Sequence, residues 1–267
     1  MNNTQSLFID NISLRYFCGE DRPQGLCGDH CHDEYEITYL INGEGRYIIE
    51  GCDHKVSHGT LLLITPMSYH RVELNPEIIT EGYSIHFNRL ALSEAIYAML
   101  DRITCGEDNR GRIFSPVLLS EELASTFDRF TLIDRLSADE GKAYMQLLLS
   151  EILILLSAAE GERIIYKDDE LGARVARYIN LNIEKNVSLD RIARRFFVSK
   201  YYLCRAFKSF SGTSVHAYIN QKRIIYAKQL IDSGLTASKA AERVGFGDYS
   251  AFYRSYVKII GKSPTAN

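Results

Sequence analysis

Three histidines and a glutamate stand at spacings that suit one shared ligand. They occur as His30-Cys-His32-Asp-Glu-Tyr-Glu36, followed by Gly43, and then as Gly59, Pro66 and His70. Along a strand, residues of equal parity share a face. His30, His32 and Glu36 can therefore point the same way, with His70 approaching from a later strand. Three imidazoles and a carboxylate suit a divalent cation such as zinc, iron, nickel or manganese. Thr38, Tyr47, Tyr69, Tyr83 and His86 are further inward candidates, each equally suited to core packing with a satisfied polar tip. Cys27 and Cys31 could form a redox pair, but their spacing is that of ordinary thiols.

A different chemistry, contact with a polyanion, belongs to the last third of the chain. One small motif occurs twice there, at residues 188–213 and 236–262. Arg205 aligns with Arg254, Ser199 with Asp248, Phe197 with Phe246 and Gly212 with Gly261. Ile192 and Ala193 match Ala240 and Ala241 if the second copy holds one extra residue before its turn. Each copy reads as a short helix, a tight turn and a longer helix opened by a capping residue. That is the helix-turn-helix pattern, whose second helix enters the DNA major groove. A guanidinium such as that of Arg205 can pair bidentately with guanine O6 and N7, or can hold a phosphate.

The charge supports this division. Residues 168–267 hold 17 Lys/Arg against 8 Asp/Glu, while residues 1–167 hold 14 against 26, within an overall net charge of −3. A basic module beside an acidic one fits a polyanion-binding half and a half with another task. The length of 267 residues fits about two domains. The six cysteines form no CxxC pair and no disulfide framework, which fits reduced thiols in a cytoplasm. No window reads as a signal peptide, and the apolar run at residues 147–159 contains Glu151 and is too short to span a bilayer.

The elements that must position these groups follow from periodicity. Residues 35–41 and 45–51 are rich in β-branched and aromatic side chains, and Asn42-Gly43 between them is a hairpin turn. Further strands are expected at 54–56, 61–65 and 83–87, as in a small antiparallel barrel or sandwich. Helical periodicity then appears at 92–103, 120–136 and 138–159, the last apolar over most of its surface. Beyond it, Ser188, Ser199, Ser214, Thr236 and Asp248 are placed as N-caps, and Gly212, Gly234 and Gly261 as residues just past helix ends. Helices are expected at 169–183, 189–196, 200–210, 215–232, 237–244 and 249–260, with a seventh of one turn after Pro264. The helix at 215–232 would run about 27 Å and could hold two reading helices about one DNA turn apart.

The C-terminal motifs closely resemble the AraC/XylS family of transcription regulators. They are Leu189-x-x-Ile-Ala, Val198-Ser-x-x-Tyr-Leu-x-Arg-x-Phe-Lys, Gly212, Arg223-x-x-x-Ala-Lys-x-Leu, Val244-Gly-Phe-x-Asp-x-Ser-x-Phe-x-Arg and Gly261-x-Ser-Pro264. The resemblance covers residues 171–266. It implies that the first unit presents Tyr201, Tyr202, Cys204, Arg205 and Lys208 to DNA, and the second Tyr249, Ser250, Ala251, Tyr253 and Arg254. Lys222, Arg223, Lys258 and Lys262 are expected phosphate ligands. Val257 stands where the family usually has lysine and Tyr256 where it usually has phenylalanine, so the second unit is poorer in cationic contacts.

The histidine spacing resembles the two motifs of the cupin barrel, and sensor domains of the AraC family often resemble cupins. That likeness implies a small effector, often a sugar or related metabolite, held by His30, His32, Glu36, Thr38, Tyr47, His70, Tyr83 and His86. The polar groups would then bond effector hydroxyls, with a divalent metal on His30, His32, Glu36 and His70 as the other occupant. The expected class is α+β: a cupin-like antiparallel β-barrel at 1–90, a helical dimerisation segment at 91–160, a linker at 161–168, and an all-α DNA-binding domain with two helix-turn-helix units at 169–267. The reading is a cytoplasmic regulator and not an enzyme, an activator by resemblance. Its expected partners are double-stranded DNA, a small-molecule effector, RNA polymerase and a second copy of itself, with no membrane. The alternative is a metal-dependent cupin enzyme, or a metal or redox sensor, fused to a DNA reader.

Overall fold

The computed structural model describes residues 4–9, 11–19, 30–106, 109–116, 121–159, 161–165, 170–185 and 187–265. The N-terminal half is built on two antiparallel sheets. Its strands are β1 (Thr4–Ile9), β2 (Ile12–Cys18), β3 (Tyr35–Asn42), β4 (Gly45–Ile49), β5 (Cys52–Val56), β6 (Leu61–Ile64), β7 (His70–Leu74), β8 (Glu81–Phe87), β9 (Asn109–Phe114) and β10 (Glu162–Ile165). Seven of them form one sheet in the order β1-β2-β8-β3-β6-β9-β10, and three form a second in the order β5-β4-β7. Strand hydrogen bonding does not close these into one barrel among the described residues. An isolated bridge between His30 and His70 extends the smaller sheet.

Side-chain parity sorts the large sheet into two faces. Leu40, Leu62 and Ile64 meet Phe17, Tyr47, Ile49 and Val56 between the sheets. Ile37, Leu61, Leu63, Tyr83, Ile85 and Phe87 point the other way. That outer face is covered by α1 (Glu94–Thr104), α2 (Glu121–Asp128) and α3 (Ala138–Ala158). The single helix expected at 120–136 is two pieces, with a 3-10 turn at Arg129–Arg135 after α2. By length and composition α3 could cross a membrane, as the shorter run at 147–159 could not. It instead packs Met145, Leu148, Leu149, Ile152, Leu153 and Leu156 against the sheet. A capping box of Ser137 and Glu140 starts it. The segment expected as a linker holds β10, which pairs with β9; residues 166–168 lie outside the described residues.

The C-terminal half is helical: α4 (Leu171–Leu181), α5 (Leu189–Arg195), α6 (Lys200–Ser211), α7 (Val215–Asp232), α8 (Ala237–Arg243) and α9 (Tyr249–Ile260). Ser188, Ser199, Ser214, Thr236 and Asp248 each accept a first-turn N–H. Gly212 and Gly261 close α6 and α9 in the left-handed region, at φ 77° and 82°. The single turn expected after Pro264 falls mostly on residues 266–267, which lie outside the described residues. One core joins α4 to α7, a second joins α7 to α9, and α7 serves both.

The two helix-turn-helix copies superpose differently from their sequence alignment. Phe197 and Gly245 are the equivalent left-handed residues, at φ 54° and 85°. Val198 and Phe246 are next, donating to Ala193 and Ala241 respectively. The extra residue of the second copy is therefore Gly247, within the turn and just before the Asp248 cap, not ahead of the turn.

Candidate effector and DNA-reading sites

His30, His32, Glu36 and His70 come together. One ligand atom of each lies within 4.8 Å of the others. Glu36 and His70 are buried, and His30 and His32 are half-buried. Glu36 projects from β3, and His70 opens β7 after the Pro66 turn. His30 is paired to His70 through both backbone bonds, at 3.0 and 2.9 Å.

The hydrogen bonds fix which atoms face inward. His32 Nδ1 lies 2.9 Å from the Glu34 carbonyl, and His70 Nδ1 lies 3.0 Å from the Ser68 carbonyl. A carbonyl only accepts, so each Nδ1 carries a proton and donates it. Each Nε2 then faces Glu36 Oε2, at 3.1 Å from His32 and 3.0 Å from His70, as a donor on a protonated ring or a lone pair on a neutral one. His70 Nε2 makes no hydrogen bond there despite that distance. The other carboxylate oxygen, Oε1, accepts from Thr38 Oγ1 at 2.7 Å. Lone pairs converging on a carboxylate repel unless the rings are protonated or a cation lies between them. An outer backbone carbonyl behind each imidazole is also what orients a metal-binding histidine. The donor set therefore fits a divalent ion.

The electrostatics agree with a site made for positive charge. Burial would raise the Glu36 carboxyl, but the neighbouring histidines outweigh it and hold it well below the usual range. Burial opposes charging of His32, yet its bond to Glu36 and that carboxylate's charge keep it raised. His86 stands at the edge, its ring 4.8 Å from that of His32. Burial pushes it down to about 4, so it stays neutral. Tyr47 is fully buried between the sheets, and its hydroxyl has no hydrogen-bond partner among the described residues.

Two expected pocket residues are elsewhere. Tyr83 has the opposite parity to His86 on β8, so it faces the helices and stacks on Phe127. Tyr69 faces the DNA-binding half, with its ring 5.0 Å from that of Tyr218. Cys27 lies outside the described residues. Cys31 is buried, and burial pushes its thiol up to about 12, which leaves no thiolate for redox exchange near neutral pH.

On α6, Tyr201, Tyr202, Cys204, Arg205 and Lys208 are exposed, while Leu203 and Phe207 enter the core. On α9, Tyr249, Ser250, Tyr253 and Arg254 are exposed and Ala251 is half-buried. Both helices border one groove of about 540 Å³, lined by Cys204, Ala251, Ser255, and by His216 and Asn220 of α7. Lys258 and Lys262 are exposed.

Two expected phosphate ligands make contacts within the chain. Lys222 is 1% exposed and pairs with Glu50 at 2.9 Å. It also donates to the Met67 carbonyl. Arg223 donates to the carbonyls of Gly245 and Lys185, at 3.3 and 3.1 Å, and so ties the two reading units together. Glu50 was not singled out by its sequence, nor were Asp33, Tyr218 and Lys228. Asp33 pairs with Lys228 at 2.5 Å, and Tyr218 donates to Glu50 at 2.7 Å. A signal existed: Lys222 interrupts the buried stripe of Tyr218, Ile219 and Ile225 on α7, where a lone charge demands a partner.

Comparison with known proteins accords with both halves. Residues 16–156 match the AraC-like ligand binding domain, and residues 192–266 match the family model described as a helix-turn-helix domain. The HTH-type transcriptional activator RhaS of Escherichia fergusonii is 25% identical over 257 residues, covering 91% of this chain and 87% of that protein. The Msm operon regulatory protein of Streptococcus mutans is 22% identical over 269 residues, covering 96% and 91%. The crystal structure of ToxT from Vibrio cholerae O395 aligns at a TM-score of 0.43 and 14% identity, over 99% of this chain and 96% of that one. A ligand-binding sheet domain followed by two DNA-reading units, matched by models over both, means that the chain belongs to the AraC family of transcription regulators.

Proposed function

We propose that this regulator senses a divalent transition-metal ion, held by His30, His32, Glu36 and His70. One observation carries the reading: two imidazoles with committed Nδ1 protons aim their Nε2 atoms at one oxygen of a buried carboxylate. When bound, the ion would supply the positive charge that this arrangement otherwise takes from protons. A polyhydroxy effector such as a sugar is the competing occupant, with Tyr47 and His86 as its further contacts.

The reader would place α6 and α9 in successive major grooves, with Arg205 reading a base and Arg254 positioning the second unit. RhaS is named an activator, and activation through contact with RNA polymerase is the reading adopted for this chain. Leu147 and Ile154 of α3 are exposed beside Leu90 around a cavity of about 690 Å³. That apolar patch is the proposed contact for a homodimer, acting in the cytoplasm.

The test is metal analysis of the purified chain, followed by gel shifts on its own promoter region with and without chelator. Bound divalent metal, and DNA affinity that changes with chelator in the wild type but not in His70→Ala, are expected. DNA binding indifferent to both treatments would refute metal sensing, and a response to a sugar in chelator would favour the competing occupant.

A further inference from the structure

The segments that supply the cluster's histidines have a second face, and that face is docked on the DNA-reading half. In residues 30–33 the alternation is strict. His30 and His32 turn to the cluster, while Cys31 enters the core of the first reading unit and Asp33 pairs with Lys228 of α7. The second segment repeats the division. His70 belongs to the cluster, while Tyr69 enters the reader core and the Met67 carbonyl accepts from Lys222. Met67 N–H also donates to the His32 carbonyl at 2.8 Å, which ties the two segments together.

The Glu50–Lys222 pair sits at the centre of this contact. Both side chains are 1% exposed. Glu50 Oε1 accepts from Lys222 and, at 3.0 Å, from the Tyr69 backbone N–H; Oε2 accepts from Tyr218. The turn that carries it fits closely: a Cβ at Gly51 would stand 2.2 Å from the Phe210 ring.

We propose that the Glu50–Lys222 pair positions the metal cluster. It pins the outer face of residues 30–33 and 67–70 to α7, and so holds His30, His32 and His70 where they converge. The proposal rests on the metal reading of the cluster, and it makes ion binding and reader docking one linked equilibrium. Linkage is reciprocal, so whatever the docked reader adds to ion affinity, the ion adds to docking. Glu50 and Lys222 touch no ligand atom; they act through the segments they hold.

The experiment titrates Co2+ into the full-length chain and follows visible absorption, with small-angle scattering on the same samples. Glu50→Gln keeps the shape and leaves Lys222 without its countercharge; Lys222→Glu sets two carboxylates face to face. Both are expected to widen the scattering profile, alter the Co2+ absorption band and weaken Co2+ affinity by about tenfold or more, equivalent to about 1.4 kcal/mol. The exchanged pair, Glu50→Lys with Lys222→Glu, should recover only part of that loss, because an ammonium at position 50 cannot accept from the Tyr69 N–H. All are measured at a temperature where circular dichroism shows the protein folded, so a loss of global stability does not move the affinity. If Lys222→Glu fails to fold, Glu50→Gln carries the test. Wild-type Co2+ affinity in a variant with a widened profile overturns the proposal, and so does a variant whose profile and affinity are both unchanged. A wild-type chain that takes up no Co2+ overturns the metal reading itself, before any variant is compared.

Discussion

Phe197 occupies a left-handed position that its partner motif gives to glycine, and replacing it with glycine should stabilise the protein. It follows the end of α5 at φ 54° and is 93% exposed. At the equivalent place before α9 stands Gly245, at φ 85°. A side chain in this region costs roughly 1–2 kcal/mol, whereas glycine adds roughly 0.5–1 kcal/mol of chain entropy to the unfolded state. The exposed ring contributes almost no burial to offset that. Phe197→Gly should therefore gain about 0.5–1 kcal/mol, or about 1–4 °C in melting temperature for a chain of this size. The reverse change, Gly245→Phe, should lose at least as much, because a Cβ there meets Arg223 at 3.0 Å. Paired urea melts at constant slope decide it. A loss of stability in Phe197→Gly would show that the ring is packed or that the turn is unstrained, and would refute the reasoning. If stability rises while promoter binding falls, the strain is retained for a contact that the exposed ring makes.

Arg205→Ala should cost about 1–3 kcal/mol of DNA affinity and relax preference at one base, whereas Arg254→Ala should weaken all sequences evenly; binding-site selection with each variant is the check. Lys222→Met should destabilise the chain by about 3–5 kcal/mol in urea, because it leaves Glu50 buried and unpaired, while exposed Lys258→Ala stays within about 0.5 kcal/mol. The Glu50 carboxyl is held below its ordinary 4.5, with Lys222 and Arg110 overcoming the effect of burial. Its contribution is therefore complete above that value and lost as the pH falls through the lower folded-state value. Acid melts should show this loss in the wild type and not in Glu50→Gln. Tyr83→Phe should leave any effector response intact, since the ring lies on the helix side of the sheet; a changed response in gel shifts would return Tyr83 to the site.

The helical half was the more legible because its signals are local. A serine cap, a helical stripe and a terminal glycine each lie within a few residues of what they control, and the five caps and the glycines of α6 and α9 stand where their spacing places them. In the sheets, periodicity located β3, β4, β5, β6 and β8 but could not register strands against one another. Tyr83 and His86 have opposite parity on one strand, so they could not share a pocket, a conflict visible without coordinates. β9 reads Asn-Arg-Gly-Arg-Ile-Phe and β10 reads Glu-Arg-Ile-Ile. Both were hidden by charge and by length. The ion pair between Glu50 and Lys222 joins residues 172 apart, and no local pattern distinguishes such a lysine from a solvated one except the apolar company it keeps.

The presence of Cys31 and Tyr69 within the core of the first reading unit bears on how far these halves are interchangeable. A DNA-binding fragment beginning after β10 would lose two of its own interior side chains and bare the apolar floor beneath them. The halves should thus unfold together rather than in sequence. A chimera that grafts this reader onto another sensor would need residues 30–33 and 67–70 transplanted with it. In this chain the boundary between modules runs through a shared interior, so exchanging one module would require exchanging that interior with it.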